Sequence, residues 1–263
     1  MTNSTFNEPE KFSVQFSPLV DLPITEAESI SPQGVDVWLL DLSAISIEES
    51  ENFSPILSCD ELERAKQFKR NRHHFFATRA LLRKALSRYT RINPEDLLFL
   101  RALEGKPYLT NFGLPLYFNL SHSGNFAALA VSSLGEVGVD IEITRKRSYL
   151  KIVERFFHED ENDQINNCDE AKREELFYRM WTLKEAFFKA TGMGISSGLD
   201  KACFYLHDNN IAAQFSDELN VQRNQWQFHQ EIVAPKTVAA LALHSEEDIK
   251  PHWFDGNLLL SSS

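Results

Sequence analysis

"GVDIEI" at residues 138–143 has a counterpart in "GVDVWL" at residues 34–39, 104 positions earlier. Each alternates β-branched residues with others and predicts a short strand. A second pair follows in the same order, "NFAALAVSS" (125–133) and "TVAALALHS" (237–245), 112 positions apart. Between the members of each half lies a helical run, "HHFFATRALLRKALSRY" (73–89) in one and "REELFYRMWTLKEAFFKA" (173–190) in the other. The expected fold is therefore α+β: a pseudo-dimer of two similar lobes, each a small antiparallel sheet packed on a long helix, with the ligand site between them. The lobes are expected at 31–134 and 135–255, joined near Ser132 to Glu136. Residues 1–30, rich in Ser, Glu and Pro, read as a flexible extension, and 256–263, with "LLLSSS", as a flexible tail.

With 263 residues and 43% hydrophobic content the chain has enough apolar material for a sizeable core. "MTNSTFNEPEKF" has no basic stretch leading into an apolar one, and no later apolar run nears the roughly 18 residues of a membrane span, so a cytoplasmic protein is expected. Cys59, Cys168 and Cys203 are too far apart for a thiolate zinc motif and odd in number, which argues for free thiols. The formal charge of −11 argues against a general nucleic-acid binder. That average hides an asymmetry, because residues 1–63 carry thirteen acids and one lysine, whereas Arg64 to Arg91 carry ten cations and no acid. A solvated helix face and a binding site for a phosphate-bearing ligand or acidic partner are both open readings of this basic island.

Three constellations carry possible chemistry. On a strand, Asp140 and Glu142 share one face about 6.6 Å apart, an oxygen pair suited to a hard cation such as Mg2+, or simply a solvated edge. In "MWTLKEAFFKA" (180–190), Trp181, Glu185 and Lys189 fall on one helix face, with Lys184 about 100° around it. An ordinary i,i+4 ion pair between Glu185 and Lys189 is the competing account. "FNLSHSG" (118–124) delivers Ser121, His122 and Ser123 into a glycine turn, which fits an anion site or a self-bonded hairpin. "EGKPYL" (104–109) adds a turn unlike a Walker-type phosphate loop.

Taken in order, "GKP", "FNLSHSG", "GVDIE" and "WTLKEAFFK" resemble the signature set of the Sfp-type 4′-phosphopantetheinyl transferases, over roughly Ser58 to Leu206. The resemblance implies a pseudo-dimeric monomer that moves the phosphopantetheine arm of coenzyme A to a serine of an apo carrier protein. The carrier would be acidic and helical, of the acyl, peptidyl or polyketide type, and adenosine 3′,5′-bisphosphate would be released. It implies Asp140, Glu142 and Glu185 as Mg2+ ligands, with Glu185 also the base for the serine proton. Lys189 would hold the pyrophosphate with help from Lys184; Ser121 and His122 would contact the phosphates; Lys106 and Pro107 would lie by the adenine. Arg64 and Arg79 would take the 3′-phosphate, with Glu61 standing where some members have a lysine. A magnesium-dependent phosphodiesterase and a non-catalytic CoA- or carrier-binding module are the other classes to weigh.

Overall fold

Valines and a tryptophan in "VDVWLLD" favour an extended chain, and strand β1 (Val35–Asp41) is buried along its whole length, as a strand covered on both faces must be. The computed structural model describes residues 14–16, 34–103, 105–145, 148–194, 198–207 and 210–261. β5 (Phe126–Ser132), buried throughout, pairs antiparallel with β1, and β4 (Tyr117–Ser123) pairs antiparallel with β5. β6 (Val137–Ile143), β10 (Thr237–His244) and β9 (Trp226–Ala234) form a second, antiparallel sheet in the order β6-β10-β9. Two hairpins stand apart, β2 (Phe99–Arg101) with β3 (Pro107–Leu109), and β7 (Ala202–His207) with β8 (Asn210–Phe215).

Short helices α1 (Ile47–Glu51) and α2 (Cys59–Ala65) start at capping boxes on Ser46 and Ser58. The long helix α3 (Arg72–Thr90) is stopped at Arg91, whose left-handed backbone (φ 59°) lets its N–H bond Ser87 O. Its alanines and leucines, among them Ala77, Leu81 and Ala85, pack on Trp38, Leu40 and Leu129. After α4 (Leu150–Phe156) and α5 (Glu159–Asn167), the helix α6 (Glu170–Thr191) ends on Gly192 at φ 74°. Ala186, Phe187 and Ala190 of α6 pack on Ala240, Ala242 and Phe228 of the second sheet. Between the sheets, Val35, Val37 and Leu39 meet Val137, Val139 and Ile141 in a third apolar layer. None of these helices is long and apolar enough to cross a membrane, among the described residues.

The C-terminal expectation is corrected. Residues 256–261 are helix α7 (Gly256–Ser261), with Leu259 and Leu260 buried against the core under α3. The strand before it, β11 (His252–Asp255), pairs parallel with β1, so the first sheet reads β11-β1-β5-β4 and is mixed rather than antiparallel. The physical reason is the apolar run 258–260 together with Asn257, which accepts from Asp41 N at 2.9 Å and donates to Asp41 O at 2.8 Å. Residues 252–261 therefore belong with the first sheet and its helix α3. Of the expected N-terminal extension, Val14 and Phe16 pack on the inter-sheet core, and residues 1–13 and 17–30 lie outside the described residues.

A buried polar chain locks α3 to the first sheet. Trp38 Nε1 donates to the Tyr89 hydroxyl at 2.8 Å, and that hydroxyl donates to Asp36 Oδ2 at 2.8 Å. His252 Nδ1 of β11 lies 3.2 Å from Asp36 Oδ1. Tyr89→Phe removes one oxygen and strands two buried partners, so urea unfolding is expected to show a loss of about 1–3 kcal/mol.

Candidate active site

Alternation along β6 sends Val137, Val139 and Ile141 into the inter-sheet core and leaves Gly138, Asp140 and Glu142 on the other face, against α6. The approach is close: a Cβ built on Gly138 would stand 2.0 Å from Ala186 O and 2.4 Å from Ala190 N. Only hydrogen fits there. The same contact brings Glu185 and Lys189, which flank Ala186 on α6, to the two acids of the strand. Lys189 Nζ donates to Asp140 Oδ1 at 2.6 Å and to Ser121 Oγ at 2.9 Å, so its ion pair is with the strand and not the ordinary i,i+4 pair with Glu185. Strand β4 stitches the other side, with Asn119 accepting from Val139 N (3.0 Å), Ser121 donating to Asp140 Oδ1 (2.9 Å) and Ser123 donating to Glu142 Oε2 (2.7 Å).

Three carboxylates so placed repel one another. Glu185, 8% exposed, has its carboxyl pushed up to about 7 by burial first, then by the charge of Asp140, with Glu142 adding and Lys189 opposing. Burial also raises Asp140, against the pull of Lys189 and Ser121. Asp140 Oδ2 is buried without a hydrogen-bond partner. An orphaned carboxylate oxygen beside two more acids is a donor set that fits a hard divalent cation.

Beside this cluster runs a cationic cleft. One cavity of about 630 Å3 is lined by Arg64, Arg79, Ser121, His122 and Arg145. A second of about 610 Å3 shares Arg64, Phe75 and Arg79 with it and reaches Arg101 and Pro107. Arg79 stacks over Phe75, its guanidinium carbon 5.5 Å from the ring centroid, and its Nε has no hydrogen-bond partner. Burial weakens its hold on its proton; Glu61 opposes this, and the like charges of Arg64, Arg101 and Arg83 reinforce it. Such a cleft suits an anion with several charges.

Family comparison decides what the arrangement belongs to. Residues 38–134 match the model "4′-phosphopantetheinyl transferase, N-terminal", and residues 136–242 match "4′-phosphopantetheinyl transferase superfamily". The 4′-phosphopantetheinyl transferase Sfp of Bacillus subtilis is 33% identical over 66% of this chain and 77% of its own. The chain belongs to the 4′-phosphopantetheinyl transferase superfamily, a class of enzymes. HetI of Nostoc sp. is 35% identical over 62% of this chain and 70% of its own. The protein slr0495 of Synechocystis sp., itself provisionally named a 4′-phosphopantetheinyl transferase, is 38% identical over 61% of this chain, and the match spans 65% of its length. Among solved structures, Thermotoga maritima holo-(acyl-carrier-protein) synthase (AcpS) matches 43% of this chain and 64% of its own at 21% identity and TM-score 0.35, too loose a superposition to bear on the site.

In this chain the structure brings together Asp140, Glu142, Glu185, Lys189 and Ser121, and places Arg64, Arg79, Pro107 and exposed His122 along the adjoining cleft. One expectation is corrected. Lys184 is fully buried on another face of α6, paired with Glu161 Oε2 at 2.6 Å and donating to Leu199 O at 2.7 Å and to Ala202 O. With its three protons spent it cannot assist at the phosphates. The Lys106 ammonium is likewise engaged, pairing with Glu136 and donating to Val137 O (3.2 Å) and Ala190 O (2.9 Å), which closes the C-terminal end of α6. Glu61 holds Arg83 Nε at 2.7 Å and caps α2. Arg101, Arg145 and His74 went unread in the sequence. Arg101 was the findable one, a lone cation four residues before the GKP turn.

Gly138→Ala is expected to cost roughly 1–3 kcal/mol in urea unfolding, since strand and helix must part. A raised carboxyl favours the folded state while protonated, so the Glu185 contribution is fully present below its ordinary value of 4.5 and is lost as the pH climbs to about 7. In chelator, wild-type stability is expected to fall across that window by on the order of 3 kcal/mol from this group, and Glu185→Gln is expected to flatten the decline. Thermal melts between pH 4.5 and 8 check this.

Proposed function

We propose that this chain transfers the 4′-phosphopantetheine arm of coenzyme A to a serine of an apo carrier protein, with Mg2+, and releases adenosine 3′,5′-bisphosphate. The observation that carries the proposal is the trio Asp140, Glu142 and Glu185, drawn around the unpaired Asp140 Oδ2 at the edge of an arginine-lined cleft. Asp140, Glu142 and Glu185 would hold Mg2+, which supplies charge compensation for a pyrophosphate. Arg64 and Arg79 bind the 3′-phosphate, with Arg101 beside them. Lys189, Ser121 and His122 orient the pyrophosphate, and Pro107 lines the adenine end. The carrier's serine oxygen bonds to the β-phosphorus as the bond from that phosphorus to the leaving adenosine bisphosphate breaks. Glu185, which reaches the reacting end of the cleft, takes the serine proton.

The proposal includes duplication. The orders β1-β5-β4 and β6-β10-β9 match, both antiparallel, and in each half a long helix and a two-stranded hairpin separate the first strand from the other two. Lobes of residues 31–134 and 135–251 would then frame the ligand between them, with 252–261 returning to the first. Since both walls of the site come from one chain, the enzyme works as a monomer, with the cytoplasm as its compartment. An acidic helical carrier suits the exposed cations Lys66, Lys69, Arg70 and Arg72, of which Arg70 lines the cleft.

Incubation with coenzyme A, Mg2+ and an apo acyl or peptidyl carrier, followed by intact mass, tests the reading; absence of the phosphopantetheine mass increase across a panel of carriers would defeat it. Asp140→Ala is expected to fold and to lose on the order of 10² or more in rate. Arg79→Ala is expected to raise KM for coenzyme A with kcat largely kept, because it touches the part of the ligand that does not react.

A further inference from the structure

Behind α6, on the side away from the cleft, a second group of ligating side chains converges. His158 is the N-cap of α5, its Nδ1 accepting from Asp160 N at 3.2 Å and lying 3.7 Å from Asp160 Oδ2. Facing them is Cys203 on β7, 2% exposed. A ring nitrogen of His158, a carboxylate oxygen of Asp160 and Cys203 Sγ all lie within 4.8 Å of one another. Neighbouring groups hold the three in place. Tyr205, two residues along β7 and hence on the same face as Cys203, donates its hydroxyl to Asp160 Oδ2 at 2.5 Å. Glu161 accepts from His158 N (2.8 Å) and Phe204 N (2.9 Å), and through Oε2 holds Lys184 (2.6 Å), so the first turn of α5 and the start of β7 are pinned to each other and to α6.

We propose that His158, Asp160 and Cys203 form a site for a zinc-class divalent cation that clasps the N-terminus of α5 to β7. One imidazole nitrogen, one thiolate sulfur and one carboxylate oxygen are a borderline-soft donor set; Mg2+ and Ca2+ take oxygen alone. Three protein ligands leave the fourth tetrahedral position for water, on the side where the His158 and Asp160 side chains are 44% and 50% exposed. Drawing the three ligand atoms from within 4.8 Å of one another onto one metal falls to the half-exposed His158 and Asp160 side chains, while buried Cys203 is the fixed point. Tyr205 is the outer partner that orients the carboxylate, as hydrogen-bonded neighbours of metal ligands do. Binding expels the thiol proton of Cys203. Because β7 leads out of the turn that Lys184 grips, occupancy would stiffen the support behind the helix that carries Glu185 and Lys189.

The inference is independent of the transferase reading and is tested without a transfer assay. Full-length protein stripped with chelator is titrated with Co2+, whose thiolate complexes absorb in the near ultraviolet and whose all-oxygen complexes do not. The expected result is a saturable thiolate band, displaced by Zn2+, kept in Asp140→Ala and abolished in Cys203→Ser. His158→Asn, which can still cap α5, and Asp160→Asn are expected to weaken Co2+ binding at least about tenfold. No thiolate band in excess Co2+, or one that survives Cys203→Ser and so arises from Cys59 or Cys168, would overturn the proposal. Should Cys203→Ser fail to fold, the solvent-facing His158→Asn decides, and undiminished binding there overturns it too.

Discussion

The contact on which the rest depends is a backbone lying on a backbone, α6 against β6 at Gly138. Without a side chain at that position, Ala186 and Ala190 come within the space a methyl would need. Residues two and four further along the strand then face the helix, and Lys189, one turn on from Ala186, and Glu185 beside it meet them. Asp140, Glu142, Glu185 and Lys189 are thereby gathered by one steric permission rather than by four separate arrangements. Their mutual repulsion acts against that packing, and what holds it is apolar: Phe187 and Phe188 on the helix, and the valines behind β6.

Comparing the two "GVD" strands shows how like positions come to serve unlike ends. Asp36 of β1 and Asp140 of β6 both accept from a residue of their long helix, Tyr89 in one case and Lys189 in the other. Asp36 is satisfied at both oxygens, by Tyr89 and by His252 of β11. Asp140 keeps Oδ2 unpaired. Local sequence around the two aspartates is similar, so the difference lies in what the rest of the chain brings up: a neutral hydroxyl and an imidazole on one side, a lysine and two more carboxylates on the other.

Much of this was legible in residues alone because it rests on short-range periodicity. The i,i+2 spacing of Asp140 and Glu142 and the i,i+4 spacing of Glu185 and Lys189 fix faces, and faces determine neighbours. Lys184 is harder to read: one step around the helix is about 100°, and α6 is buried on nearly all sides, so the residue before Glu185 meets α5 and β7 instead of the cleft. For Lys106, the length of a lysine stem lets the ammonium leave its turn and reach the end of α6. The C-terminal strand eluded pattern reading altogether, since four residues show no periodicity and their partner lies more than 200 positions away.

That long return has a consequence for how the protein is made. β1 leaves the ribosome more than 200 residues before its outer neighbour β11 and the covering helix α7. Until then the edge of β1 offers open backbone groups, and the core beneath α3 lacks Leu259 and Leu260. Folding of the first sheet thus waits for residues 252–261, and the second sheet, wholly contained between residues 137 and 244, can be finished before it. A nascent chain truncated near residue 250 would present an unfinished edge to any partner able to add a strand.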